Sequence, residues 1–535
     1  MRKVDVVVAG GGPAGLSAAI ELGRRGLSVA VIERLARGAY KGPRTYLINN
    51  RSMEHLRRWG VADRLRASNP IDPAMEPDVI FATRLNGHVL HRFERPFVGK
   101  EREPSSSENA QWVPQRTIEE TLLELVETLP SVQLIWEHEL ASFESDETEV
   151  RCALRDVKGE QTQIVGRYLI GADGSTSVVR KGLGVRMQGR GNMLRAFVYH
   201  VRAPGLKQIA KVGLCSFYWF VNGSFDGYSG VIINAMGEGE YSIGSFPSPP
   251  GIDPDNPDDV RKVIYEAFGQ EIPIELVSGR SYNMHAIIAP EMRRGRVLLA
   301  GDAAHLLPNL GGFGFNVGLL DGVDAGWKLA YALKGWGSET LLDSYQGERH
   351  EALTWVSKIQ IENVEVLSND IYAPGLEDAT TEGERLRRRA EDIIVREKTQ
   401  EFHSLGTQKG YRLTPSSIIV DDGSPAAPVH AVDYVQSSRP GALAPHAWMA
   451  DGSSLYDHFG PEFTLVMKGD VEFSQDLDMA GAPPVRILPL REGAAAALYA
   501  RRYTLVRPDQ MIAWAGDTLD GSIAALLSTA TGRAG

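Results

Sequence analysis

Three stretches of this chain join a glycine-rich turn to a carboxylate, and each follows an apolar run that reads as a buried strand. In the first, Gly10-x-Gly12-x-x-Gly15 follows Val4–Ala9, and Glu33 stands eighteen residues after Gly15. Gly10 allows a tight turn, Gly12 lets a pyrophosphate meet the backbone, and Gly15 lets a helix pack on the strand. Pro13 and Ala14 belong to the same turn, where a helix N-terminus offers free N–H groups to an anion. Glu33, with Arg34 beside it, can accept both hydroxyls of a ribose. A bare GxGxxG is a weak signal. Here a strand precedes it, a helix follows, and a second strand, Val29–Ile32, leads to the acid, which is the context dinucleotide binding needs.

The second turn is Gly171-Ala172-Asp173-Gly174, with Ser177 and Arg180 on a following helix; the third is Gly301-Asp302-Ala303-Ala304-His305. A carboxylate at a strand-to-helix turn can accept from cofactor hydroxyls or cap the helix. His305 reads as a packed or hydrogen-bonded histidine on a cofactor-facing loop. Leu310-Gly311-Gly312-Phe313-Gly314-Phe315-Asn316 opens another helix. Its glycines let the backbone approach a flat ring, and its N–H groups can stabilise negative charge.

Several elements must position these turns. Helical periodicity covers Leu16–Arg25, Ser52–Trp59, Thr117–Leu129, Leu319–Leu333 and Leu341 to about Leu367. Ile71–Arg95 alternates about Asn86-Gly87 as a β-hairpin. Ser105–Asn109 is a polar loop, and Val132–Ile170 reads as strands broken at Lys158-Gly159. Leu194–Ile288 is rich in β-branched and aromatic residues, among them Phe217, Tyr218, Trp219, Phe220 and Tyr228, and reads as an inserted sheet. Alternation would turn half of the 217–220 run to one face. Thr380–Glu397 interleaves acids and arginines as a solvated helix. Pro425–Pro445 is a connector. Strands at Phe463–Met467, Val485–Leu490, Tyr503–Arg507 and Met511–Trp514, with an alanine helix at Ala494–Ala497, form a small α/β domain.

Composition narrows the function. The 535 residues carry a net charge of −11, which argues against nucleic acid or an anionic membrane as the main partner. Only two cysteines occur, Cys152 and Cys215, so a reducing cytoplasm is expected. No signal peptide is expected, since the first strand begins at once with Asp5 inside it, and no apolar run reaches ~18 residues, so no transmembrane helix is expected.

The three motifs, in this order, resemble the FAD-dependent aromatic hydroxylases, the single-component flavoprotein monooxygenases typified by para-hydroxybenzoate hydroxylase and phenol hydroxylase. The resemblance covers the whole chain. It implies an α/β fold with a Rossmann-type FAD-binding domain, 1–185 with 290–400, residues 71–112 being open to joining the substrate side. An inserted β-sheet substrate domain, 186–289, and a thioredoxin-like C-terminal domain, 410–535, complete it. The last carries its likeness at Tyr411-Arg412, Arg439-Pro440-Gly441 and Leu505-Val506-Arg507-Pro508-Asp509. It has no cysteine, which excludes thiol redox chemistry there and leaves a structural or homodimer contact role.

By the same resemblance, Gly10, Gly12 and Gly15 hold the FAD pyrophosphate and Glu33 the adenosine ribose. Asp302 meets the ribityl or ribose-phosphate portion and Gln115 the ribityl chain, and Asp173 lies where FAD is supported and NADPH or NADH arrives. Arg44, in Pro43-Arg44-Thr45-Tyr46, sits beside flavin and pyridine nucleotide. Gly312, Gly314 and the backbone of Phe315 and Asn316 face the pyrimidine end. Tyr46 stands where related phenol hydroxylases place an ionisable residue, and is a candidate for phenol contact or proton relay; His285 is a weaker catalytic candidate. Tyr46, Trp219, Pro308, Asn309 and Leu310 form the expected substrate pocket. One departure is Asn309, where the family usually shows a second proline.

The implied reaction reduces FAD with NAD(P)H, adds O2 to give a C4a-hydroperoxide, and hydroxylates an electron-rich phenolic or polycyclic aromatic ring. A base that removes the phenol proton would raise ring nucleophilicity. Two competitors share the fold: an epoxidase, reductase or halogenase, and a non-catalytic aromatic-binding flavoprotein. A halogenase would carry Trp-x-Trp-x-Ile, which is absent.

Overall fold

The apolar runs on either side of the first glycine turn pair in parallel with two later strands. The order is Arg293–Arg294, Val297–Leu299, Gln161–Gly171, Arg2–Ala9, Val29–Glu33 and Val132–Trp136, parallel after the first pair. An antiparallel meander, His138–Ser145 and Val150–Asp156, is attached to Gln161–Gly171. In the computed structural model, which describes residues 2–224, 229–366, 369–424, 428–470, 481–519 and 523–534, this sheet is one of three main layers. Tyr228, the connector's residues 425–427 and the expected helix end at Leu367 lie outside the described residues.

All three turns sit at the carboxyl ends of adjacent parallel strands: Ala9, Gly171 and Leu299. That is where an open α/β sheet binds its ligands. The Pro13–Gly23 helix begins earlier than its apolar periodicity, because extended Gly12 precedes it and proline is welcome in the first turn. It packs on the Phe313–Leu333 helix through small residues. A Cβ on Gly322 would lie 2.1 Å from the Ala14 carbonyl, and one on Gly326 2.6 Å from the Glu21 Cβ. Ser17 Oγ also donates to the Leu319 carbonyl at 2.9 Å.

The second sheet runs His305–Leu306, Glu275–Ile288, Gln188–Arg202, Glu240–Ser245, Ser229–Gly237, Cys215–Val221, Glu76–Ala82 and Val89–Phe93. The hairpin Glu76–Ala82/Val89–Phe93 therefore extends this sheet, by parallel pairing with Cys215–Val221. At its opposite edge, His305–Leu306 continues directly from the Gly301–Ala303 turn. One short segment thus joins the third turn to the second sheet.

One expectation gains a detail and one needs correction. The Ser105–Asn109 stretch is the polar loop expected, but Ser105, Ser106, Ser107 and Glu108 are buried. Lys409 donates to Ser105 O and Glu54, and Ser106 Oγ donates to Glu54 at 2.8 Å, so partners from distant elements satisfy its polarity. The charged helix runs Thr381–Phe402 and is solvated on one side only. Leu386, Ala390, Ile393, Ile394, Lys398, Glu401 and Phe402 are buried. Phe402 packs against Phe81, Phe93 and Phe217 of the second sheet.

The third layer orders Val485–Leu490, Phe463–Lys468, Tyr503–Val506 and Ile512–Gly516, a parallel pair followed by an antiparallel hairpin. The Ile523–Ala530 helix follows. Arg507, fully buried, fastens this layer to the long helices. It donates to both Glu348 oxygens at 2.7 and 2.8 Å, and to Asp509. Lys328 reaches Glu348 at 2.7 Å and Asp324 at 3.1 Å. Among the described residues no helix is long and apolar enough to cross a membrane.

Candidate active site

The three turns and the second sheet enclose one cavity of about 1020 Å³. Single small-molecule pockets usually occupy ~300–1,000 Å³, so this space suits a large ligand with a second beside it. Its two ends differ. Glu33, Arg34, Lys41 and the Gly10–Ala14 turn line one; Phe197, Phe217, Phe246 and Phe402 line the other.

At the first end the glycines divide their tasks. A Cβ on Gly10 would lie 2.2 Å from the Ala172 carbonyl, and one on Gly15 1.9 Å from the Gly10 carbonyl, so these two serve backbone packing. Gly12 has no atom within 4 Å of where its Cβ would be. It fronts an uncapped helix N-terminus whose first turn holds no acid, which leaves the donors to an anion from the cavity. Glu33 accepts from the Gly11 and Leu35 N–H groups at 3.0 Å each, with Lys41 3.7 Å away. Each carboxylate oxygen retains acceptor capacity for a hydroxyl.

Asp302 is exposed to the cavity, and its turn is braced from behind. Asp321 accepts from the Gly301 N–H at 2.9 Å and lies 2.7 Å from His305 Nε2; Arg349 donates to its other oxygen at 2.7 Å. Burial raises the Asp321 carboxyl, but Arg349 and His305 outweigh it and hold it below the usual range. His305 is thus a hydrogen-bonded support. Asp173 lines the cavity, yet its carboxylate accepts from Ser177 Oγ and the Val178 and Val179 N–H groups, capping the Val178–Gly182 helix. Arg180 ties these two turns together by donating to Ala303 O and Ser175 O. Gln115 lines the cavity and accepts from Thr45 N–H at 3.4 Å.

Midway, the Phe313–Leu333 helix presents a second uncapped N-terminus. Gly312 has φ +68°, and a Cβ on Gly314 would meet nothing within 4 Å. Phe315 lines the cavity; Asn316 does not. The Asn316 side chain is buried, accepting from Asn49 N–H and donating to Leu47 O and Gly312 O, so it braces the loop. Arg44, Tyr46, His285, Pro308, Asn309 and Leu310 all line the cavity. Asn309 Nδ2 donates to the Tyr282 hydroxyl at 2.9 Å, and His285 Nδ1 accepts from Asn192 N–H at 3.1 Å. Burial pushes the Tyr46 phenol far above its usual value, so it stays a proton donor.

Trp219 is the expectation that fails. Alternation turns Phe217 and Trp219 to the same side, away from Tyr218 and Phe220, yet only Phe217 reaches the cavity. Trp219 is covered by Phe81, stacked at 5.3 Å, and by Phe246 at 5.5 Å. Among the cavity residues that escaped sequence reading, two stand out. Tyr282, its phenol pushed up to about 12 by burial, had no local signal. Glu401 had one: with Ala390, Ile394 and Lys398 it falls on the apolar face of its helix.

Known proteins place this architecture. Residues 3–358 match the family model described as FAD binding domain, and residues 437–534 the model described as aromatic-ring hydroxylase, C-terminal. Aklavinone 12-hydroxylase DnrF of Streptomyces peucetius is 29% identical over 474 residues, 86% of this chain and 91% of that protein. The solved structure of chromopyrrolic acid-soaked RebC with bound 7-carboxy-K252c has TM-score 0.88 at 30% identity, covering 100% of both chains. A ternary complex of aklavinone-11 hydroxylase with FAD and aklavinone has TM-score 0.82 at 26% identity, again covering 100% of both. The glycine cradles and the paired acids fit FAD, and the chain belongs to the FAD-dependent aromatic-ring hydroxylases, a monooxygenase family whose usual co-substrates are NAD(P)H and O2.

Proposed function

We propose that the chain hydroxylates a polycyclic phenolic substrate held at the aromatic end of the cavity, with FAD spanning the remainder. The observation that carries this reading is the single cavity of about 1020 Å³ with one end lined by turns and acids and the other by phenylalanines. Bound FAD supplies the redox and oxygen chemistry. The chain's residues bind and orient. The N–H groups fronted by Gly12 hold the pyrophosphate, and Glu33 the adenosine ribose. Asp302 and Gln115 hold the ribityl hydroxyls, and the N-terminus at Gly314 and Phe315 holds the polar edge of the ring. Arg44 and Arg34 guide the anionic nicotinamide dinucleotide. Leu310, Pro308 and Asn309 form the wall against which the substrate ring lies, and Tyr46 donates to a substrate oxygen.

The relatives acting on aklavinone support a fused-ring substrate, as does the bound 7-carboxy-K252c. Cys152 and Cys215 are buried free thiols, both pushed up to about 12 by burial, which suits a reducing cytoplasm. The C-terminal layer serves as a structural brace through Arg507.

The deciding experiment measures NADH and NADPH oxidation by the flavin-loaded protein across phenols, hydroxybenzoates, hydroxyquinolines and hydroxylated anthraquinones, with hydrogen peroxide followed in parallel. Strong stimulation by fused-ring phenols with little peroxide is expected. Stimulation by single-ring phenols alone overturns the substrate class. Gly12→Val tests the cradle: its side chain fills open space, so the fold should persist and the purified protein should lose its yellow colour.

A further inference from the structure

The Thr381–Phe402 helix places two ions on its apolar face. Lys398 and Glu401 are 1% and 2% exposed, and Lys398 Nζ lies 3.4 Å from the Glu401 carboxylate. The ammonium rests on the Trp219 ring, 4.6 Å from its centroid. Glu401 is one of the residues that line the cavity, with Phe402 and Gly311. Phe402 itself meets Phe97 and Phe217, so Glu401 stands at the aromatic end.

Its partners are few for a buried carboxylate. Glu54 has donors from Lys409 at 2.7 Å, Arg51 at 2.9 Å and Ser106 at 2.8 Å. Glu401 has one long contact with Lys398 and the Gly311 amide. A buried carboxylate has room for about four hydrogen bonds and is costly to leave short of them.

Resting on the polycyclic phenol reading above, we propose that Glu401 is a catalytic residue that accepts a ring-borne hydroxyl of the substrate and takes its proton. The phenol O–H bond breaks and an Oε–H bond forms. Negative charge passes from carboxylate to ring oxygen, and no electrons leave either partner. Lys398 stays protonated and balances the charge in both states. Density on the ring oxygen activates the ring carbons toward an electrophilic oxygen. Burial raises the Glu401 carboxyl above its usual range, against the opposing pull of Lys398 and the Gly311 amide. A raised carboxyl is the better base toward a phenol. Among the described residues, Lys398 is the charged group that acts on it. Tyr46 cannot share this task, since its own phenol is held protonated by burial.

The test uses flavin-loaded protein and 1,8-dihydroxyanthraquinone, whose visible absorption reports ionisation of its phenol. With the parent protein, the ionised band should appear at lower pH than for the free dye. Glu401→Gln keeps the shape of the site; it should bind the dye within about threefold but return ionisation to the free-dye pH. Glu401→Leu should weaken binding about tenfold, the loss of roughly one hydrogen bond to a charged group. Parent-like binding and ionisation in both variants would overturn the proposal while leaving the substrate reading standing. If the parent protein binds neither the dye nor any fused-ring phenol, the substrate reading fails and this proposal with it. Melting temperature and flavin content are followed throughout; should Glu401→Leu not fold, the isosteric Glu401→Gln decides.

Discussion

Arg507 and Glu401 are both buried ions, and the molecule treats them differently. Around Arg507, two cations face three carboxylates, Glu348, Asp324 and Asp509, and nearly every polar atom has a short partner. Trp327 Nε1 donates to Asp324 at 3.1 Å and Ser416 to Glu348 at 2.6 Å. The extra carboxylate falls on Asp324: burial raises it, with Glu348 and Asp509 adding to the rise. Burial also raises Glu348, but Arg507 and Lys328 outweigh it and pull that carboxyl down. Around Glu401 one ammonium stands 3.4 Å away and the cavity opens beside it. A saturated cluster holds layers together; an unsaturated one waits for a ligand. Burial alone would not separate the two.

The largest way to break this contrast is Arg507→Ala. Three carboxylates would be left with Lys328 alone, and a loss of ~3–5 kcal/mol in equilibrium unfolding is expected. A loss below about 1 kcal/mol would show that the third layer is fastened elsewhere. Glu21 sharpens the contrast through pH. Burial raises this carboxyl, but Arg58 and Arg25 outweigh it and bring it from 4.5 down to about 2. A depressed carboxyl stabilises the fold above its unfolded value and loses that contribution as pH falls from 4.5 towards 2. Each pKa unit is worth ~1.4 kcal/mol, so about 3 kcal/mol should vanish over that window. In Glu21→Gln, urea unfolding at intervals of pH should show that slope flattened.

Glu401→Gln comes next and should invert the pattern. Stability should fall by less than in Arg507→Ala, because the amide oxygen of the glutamine can still accept from Lys398, while substrate-stimulated turnover falls about a hundredfold, the lower range for losing a general base. A stability loss as large as that of Arg507→Ala would make Glu401 a second clasp. The smallest effect belongs to Trp219→Phe. It weakens a cation–π contact with Lys398, for ~1 kcal/mol in stability. The KM for a fused-ring phenol should stay within about twofold, since Trp219 lies behind the wall.

What was legible follows from the range of each interaction. The glycine turns could be read because a strand, a tight turn and a helix N-terminus are local, and their spacing is set by backbone geometry. Gly12, Glu33 and Asp302 meet at one cavity because their strands belong to one parallel sheet. Asp321 could not be read this way. It acts on Gly301 twenty residues away only because its helix folds back across the turn. Trp219 shows the limit of alternation, which names a face but not how far along the strand the cavity reaches. Glu401 marks the converse. Two charges at helical spacing on an apolar face were visible in the chain, but the acids and arginines around them masked the pattern.

The close packing at Gly322 and Gly326 has a further result. With the Ala14 carbonyl 2.1 Å from any Cβ on Gly322, the two helices interlock along their length. Their N-termini, one behind Gly12 and the other behind Gly312, act as the jaws of a fixed caliper. The spacing of the two helix ends is therefore set by two missing methyl groups at positions outside the cavity lining.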